Sequence, residues 1–158
     1  MPLPLFSFGT LRDSDVLEVA LGRAAAKVDR VPARLGGYRV ARLPDECYPV
    51  LIESGDDSAH GLLLLGLSET DFDRIAFFEN AEYALERCRV ELADGRELDA
   101  VFCSEGVTTS GLRTSWTLED WQRTEKPKFM QSIRRYMQFY GSMSAEEADL
   151  EWIKWESQ

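Results

Sequence analysis

In the stretch Ile75-Ala-Phe-Phe-Glu-Asn-Ala-Glu-Tyr83, one carboxylate, Glu79, directly follows two phenylalanines. A carboxyl group beside aromatic surface and in the last turn of a helix, where peptide dipoles place partial negative charge, should hold its proton to higher pH than a free side chain. Such a group suits acid or base work near neutrality. A second candidate lies near the N-terminus, in Phe8-Gly9-Thr10-Leu11-Arg12. A glycine that ends a strand accepts backbone geometry closed to other residues, which leaves amide N–H groups free to meet a carboxylate or another anion. Taken singly, each has a plainer reading, as a solvated helix end and as an ordinary loop. His60 is the sole histidine, so a Ser/His/Asp triad, a Cys/His pair or a histidine metal site would each depend on that one residue. Proton transfer therefore falls to a carboxylate.

The elements that must position these groups follow from patterning. Leu3 to Phe8 reads as a first strand meeting Gly9. A short helix follows, capped by Asp13 or Ser14, carrying Val16, Leu17, Val19, Ala20 and Leu21, and stopped at Gly22. Four short strands are expected over Lys27 to Leu35, Tyr38 to Leu43, Pro49 to Glu53 and Ala59 to Leu67, separated by the turn formers Gly36-Gly37, Pro44-Asp45-Glu46 and Gly55-Asp56-Asp57. Short connections favour antiparallel neighbours. Ser68 and Asp71 form a capping-box pattern, so a helix runs from Ser68 and places Glu79 in its last turn. Tyr83 to Leu92 and Leu98 to Cys103 flank Asp94-Gly95 as a hairpin, with Cys88, Val90 and Leu92 on the buried face. Ser104 to Trp116 reads as a loop long enough to be a flap. Thr117 to Asp120 repeats the capping pattern, Pro127 interrupts, and Phe129, Ile133, Tyr136, Met137 and Tyr140 share a helical face ending at Gly141. Ser144 with Glu147 opens a last helix bearing Leu150, Trp152, Ile153 and Trp155. Those aromatic stripes read as core or as a dimer seam, which makes a homodimer an admissible assembly.

The totals bound the classes. At 158 residues the chain fits a single domain with a sizeable core, read as a unit over residues 1–116 with a helical C-terminal extension, 117–158, packed on it. A formal charge of −10, from 28 acidic against 18 basic residues, argues against nucleic acid and anionic membrane surfaces as partners. No apolar run reaches the length of a membrane span, and the N-terminus lacks a basic signal region, so a cytoplasmic location is expected. Cys47, Cys88 and Cys103 lack paired-ligand spacing, so neither a disulfide framework nor a zinc site is indicated.

In chain order, Phe6-Ser-Phe-Gly-Thr-Leu-Arg12, then Tyr48-Pro49, then the Phe78-Glu79 junction followed by Tyr83 resemble the gamma-glutamylcyclotransferase-like family, which includes the avirulence-induced-gene-like proteins. The likeness covers residues 3 to 103. It implies a mixed α/β (α+β) fold, a small and mostly antiparallel β-barrel with flanking helices, and a pocket at one barrel end. By the same resemblance Gly9, Thr10 and Leu11, with Phe8 and Arg12 beside them, become the substrate-binding loop. Glu79 becomes the catalytic group, largely buried opposite that loop, and Tyr48 and Tyr83 become pocket walls. The implied reaction cyclises a small gamma-glutamyl amine or gamma-glutamyl amino acid to 5-oxoproline, needs no metal or organic cofactor, and uses amides from Gly9 to Arg12 for the developing oxyanion. Two residues depart from the family pattern: Phe8 stands where tyrosine is usual, and Asn80 where glycine often follows the glutamate. The rival reading is a non-catalytic binding or regulatory module that keeps the pocket, since one fold hosts several functions.

Overall fold

A computed structural model of the chain describes residues 3–42, 49–79, 84–103, 107–108 and 114–156. Seven strands and five helices are found among them, in the order β1 (Leu5–Ser7), α1 (Ser14–Leu21), β2 (Asp29–Arg42), β3 (Pro49–Leu65), α2 (Glu69–Glu79), β4 (Leu85–Leu92), β5 (Glu97–Cys103), β6 (Val107–Thr108), β7 (Thr114–Ser115), α3 (Leu118–Thr124), α4 (Lys126–Met137) and α5 (Ala145–Glu156). Single turns of 3-10 helix stand at Thr10–Arg12 and Ala25–Lys27.

The sheet closes on itself. Its strand order runs β3-β1-β5-β4-β2, and β2 pairs back onto β3, giving a five-stranded barrel within a mixed α+β fold, as the resemblance implies. All the ring pairings are antiparallel except β1 with β5. The interior follows from period-two alternation. Phe6 and Phe8 point inward to meet Leu51, Leu63, Val90, Ala100 and Phe102, whereas Leu5 joins Val16, Leu17, Leu64, Ile75 and Trp121 in a second core between barrel and helices. β1 fits tightly against β3 because Gly61 has no side chain: a Cβ there would run into the Ser7 carbonyl oxygen.

Two expectations need correction. The four short strands between Lys27 and Leu67 are two long ones, β2 and β3, paired from Asp29↔Leu65 to Arg42↔Pro49. Gly36-Gly37 and Gly55-Asp56-Asp57 do not reverse the chain. They form an irregularity where Gly37, at φ +87°, stands against Ser54 to Asp57 while pairing resumes on either side. A continuous ladder on both flanks outweighs the local turn preference. The Ser104 to Trp116 segment is also not wholly loop, since β6 adds to the upper part of β3 and β7 to that of β2.

The helices are set by local caps. The Asp13 carboxylate accepts from the amides of Asp15 and Val16 to start α1, and Gly22 ends it at φ +70°. Arg74 of α2 lies over Gly22 and donates to the carbonyls of Ala20 and Val19, so α2 supplies acceptor-satisfying donors for the end of α1. Ser68 and Asp71 exchange the expected reciprocal bonds at the start of α2. Arg23 grips the same Asp71 with two nitrogens, at 3.2 and 2.7 Å.

Candidate active site

Strand register brings the first turn and the start of β4, six residues after Glu79, to one end of the barrel. β1 runs parallel to β5 with Leu5 beside Val101, so Ser7, two residues on, is level with Cys103. Leu85, the first residue of β4, pairs with Cys103. The strand that follows Glu79 therefore begins at the height where β1 gives way to Phe8 and Gly9. The start of β3 reaches the same place: a Cβ on Gly9 would stand 2.7 Å from Cγ of Pro49. The close approach of Gly9 to Pro49 brings the first turn to the start of β3. Tyr48 and Tyr83, expected as pocket walls, lie outside the described residues, as does Asn80.

The turn itself is more specific than its sequence suggests. Phe8 is buried in the barrel interior and Leu11 in the core beneath the helices; Gly9, Thr10 and Arg12 are half-buried between them. The amide of Arg12 donates to the Gly9 carbonyl at 3.1 Å and that of Asp13 to the Thr10 carbonyl at 2.9 Å. Those two amides are committed to the turn, which removes Arg12 N–H from the expected set of oxyanion donors. Among the described residues the amides of Gly9, Thr10 and Leu11 carry no such bond.

Side chains missed at the level of sequence lock this turn in place. Asp13 is only 3% exposed. One of its oxygens caps α1, while the other accepts from Gln122 Nε2 at 2.8 Å and Lys126 Nζ at 2.9 Å. Burial alone would raise its pKa, but the bonds from Lys126, Gln122 and the Val16 amide outweigh it and hold the carboxyl below the ordinary aspartate range. Arg12 lies over the indole of Trp116, 5.8 Å from its centroid. Burial lowers its pKa, opposed by the charge of Glu119. The Nε of Arg12 is buried without an acceptor among the described residues, and Trp116 Nε1 and Glu125 Oε2 are likewise unpartnered there.

Glu79 is the last residue of α2, as expected from the spacing, and it is half-buried rather than largely enclosed. Of the two phenylalanines before it, Phe77 belongs to one core and Phe78 packs against two. Phe78 meets the core that holds Leu11 and Trp116, with its ring 6.4 Å from Phe129. Phe77 packs on Tyr136 in a smaller cluster. Among the described residues no group of three or more His, Cys, Asp or Glu is placed to hold a metal ion. No described helix is long and apolar enough to cross a membrane.

Comparison with known proteins agrees with this fold. The curated relatives include the Arabidopsis thaliana AIG2-like protein A, 26% identical over 136 residues, 85% of this chain and 81% of the relative. The AIG2-like protein B of the same plant is 27% identical over 138 residues, 85% of this chain and 77% of the relative. Among solved structures, an Arabidopsis thaliana protein determined in solution superposes with a TM-score of 0.61 at 22% identity, covering 87% of this chain and 82% of the other. A gamma-glutamyl cyclotransferase gives 0.54 at 12% identity, covering 96% and 98%. At such identities these two likenesses speak to fold. The pattern of the family described as "Gamma-glutamyl cyclotransferase, AIG2-like" matches residues 5–123, and the chain belongs to that family.

Proposed function

We propose that this protein is a gamma-glutamyl cyclotransferase-type enzyme, which releases a free amine and 5-oxoproline from a small gamma-glutamyl compound, with Glu79 as its acid and base. The observation that carries this reading is that the Gly9 turn, the start of β3 and the start of β4, the strand next after Glu79 in the chain, lie at one barrel end. Such a site needs no protein nucleophile, because the substrate carries its own. The α-amino nitrogen gives up a proton to Glu79 and attacks the γ-carbonyl carbon; a C–N bond forms and the carbonyl oxygen becomes an oxyanion. Collapse breaks the bond to the departing nitrogen, which takes a proton from Glu79. In all, two protons leave the attacking nitrogen and two are gained by the amine, which departs as an ammonium ion. Holding the substrate folded supplies much of the rate.

The amides of Gly9, Thr10 and Leu11 are suited to an anionic oxygen. The Arg12 guanidinium, which has no ion pair among the described residues, is suited to a substrate carboxylate. Phe8 leaves the barrel wall without the phenolic hydroxyl usual in the family. Incubation with a panel of gamma-glutamyl amines and gamma-glutamyl amino acids, read out as 5-oxoproline, tests the proposal. Glu79→Gln should lower turnover about 10²- to 10⁴-fold, the range for a positioned acid/base group. Equal turnover in both proteins would remove Glu79 from the chemistry, and no product from any compound would favour a binding module.

A further inference from the structure

We infer that Tyr136, on a helix beyond the matched family segment, is the positioning residue for Glu79, an assignment that rests on the acid/base role proposed above. The last turn of a helix leaves carbonyls without helical partners. One of these in α2, that of Phe77, accepts a 2.6 Å hydrogen bond from the Tyr136 hydroxyl, and both residues are buried. The two rings lie 4.8 Å apart. Tyr140, about one turn further on, meets Phe77 edge-on at 5.5 Å.

One turn earlier α2 is held as well. Arg74 lies 4.7 Å over the Tyr140 ring while donating to the α1 carbonyls of Val19 and Ala20. α2 is thus held to α4 at Phe77, in its last turn, and to α1 at Arg74, a turn before. Burial, aided by the charge of Asp149, pushes the Tyr136 hydroxyl up to about 12, so it remains a donor across the range in which such an enzyme would work. Backbone position at residues 77–79 decides where the Glu79 carboxyl can reach, and a shift of about 1 Å in a reacting group is enough to slow chemistry by about 10²-fold.

Tyr136→Phe keeps the ring and deletes the donor. The expected result is amide hydrogen exchange about tenfold faster at Phe77 to Glu79, the scale of one lost hydrogen bond, with α1 and the barrel strands unchanged. Turnover of the best gamma-glutamyl compound should fall about 10- to 100-fold, with KM held within about twofold, the pattern of a lost transition-state contact rather than lost binding. Tyr140→Phe should change neither quantity, because its hydroxyl reaches Asp73 only at 3.5 Å on the surface. Wild-type kcat in Tyr136→Phe would overturn the assignment. So would exchange that is unchanged, or that rises equally at every core amide, the mark of a merely structural role. If the wild type converts no gamma-glutamyl compound, the enzymatic reading falls instead. Exchange then decides the clamp by itself, local loss of protection supporting it and unchanged protection overturning it.

Discussion

Gly9→Ala is the most direct probe of how this barrel end is closed. A methyl group on Gly9, where φ is −122° and ψ −139°, meets its first obstacle in Pro49. That methyl would start 2.7 Å from Pro49 Cγ, where ordinary contact begins at 3.4 Å, so the two elements must part by about 0.7 Å (3.4 − 2.7). Pro49 cannot swing away like a long side chain: it is a closed ring, buried, and paired with Arg42 in the β2/β3 ladder. Overpacking of this kind costs about 1–3 kcal/mol. With a urea slope of about 2 kcal/mol/M, the unfolding midpoint should fall by about 0.5–1.5 M. Pro49→Ala removes the atom that is struck. In the double variant Gly9→Ala/Pro49→Ala the penalty of the first change should largely disappear, a coupling of at least about 1 kcal/mol. An unchanged midpoint for Gly9→Ala, or strict additivity in the double variant, would refute this account of the turn.

Two further perturbations separate charge from packing. The Asp71 carboxyl, raised by burial but lowered more by its bonds from Arg23 and the Ser68 amide, sits below the ordinary 3.8 in the folded chain. A depressed folded pKa stabilises above the unfolded value and ceases to do so as pH falls through the folded one. Stability measured by urea midpoints should therefore drop as pH is lowered below about 4, and Asp71→Asn should flatten that slope while costing stability at pH 7; an unaltered slope would count against the Arg23 pairing. Arg12→Gln should raise KM for carboxylate-bearing gamma-glutamyl compounds about 10- to 100-fold, the scale of one charged hydrogen bond, while circular dichroism melting shows the fold retained. Unchanged KM would take the guanidinium out of substrate binding.

Features governed by residues three or four apart could be read before any coordinates. The capping pairs Ser68/Asp71, Thr117/Asp120 and Ser144/Glu147 all form their bonds. The position of Glu79 at the end of α2 follows from the same spacing. Val90 and Leu92 alternate inward as β4 requires, with Cys88 half-buried and its thiol pushed up to about 11 by burial and neighbouring acids. What escaped notice depends on partners far apart in the chain. Nothing local in Gly36-Gly37 reveals that both flanks will stay in one ladder with β3. Nothing local to Asp13 announces Gln122 and Lys126, nor does Phe77 announce Tyr136. Tyr136 was visible only as one member of an apolar stripe, because periodicity marks the buried face of a helix but not which buried hydroxyl finds a carbonyl. The outer face of α5, where Leu150 and Ile153 are 61% and 51% exposed, shows the reverse: an aliphatic pair on a stripe read as core or dimer seam lies open to solvent in the single chain.

Asp13 divides its two oxygens between neighbours on opposite sides of the family boundary. One oxygen belongs to α1, well within the shared segment; the other is held by Gln122, just inside it, and by Lys126, just past it. Trimming the chain at residue 123 would strip a buried carboxylate of its cationic neighbour and leave the first turn attached at one point where it now has two. A relative that ends near there and keeps a buried carboxylate at this place must draw its cation from somewhere else, because the matched unit and the mechanically complete one are different lengths.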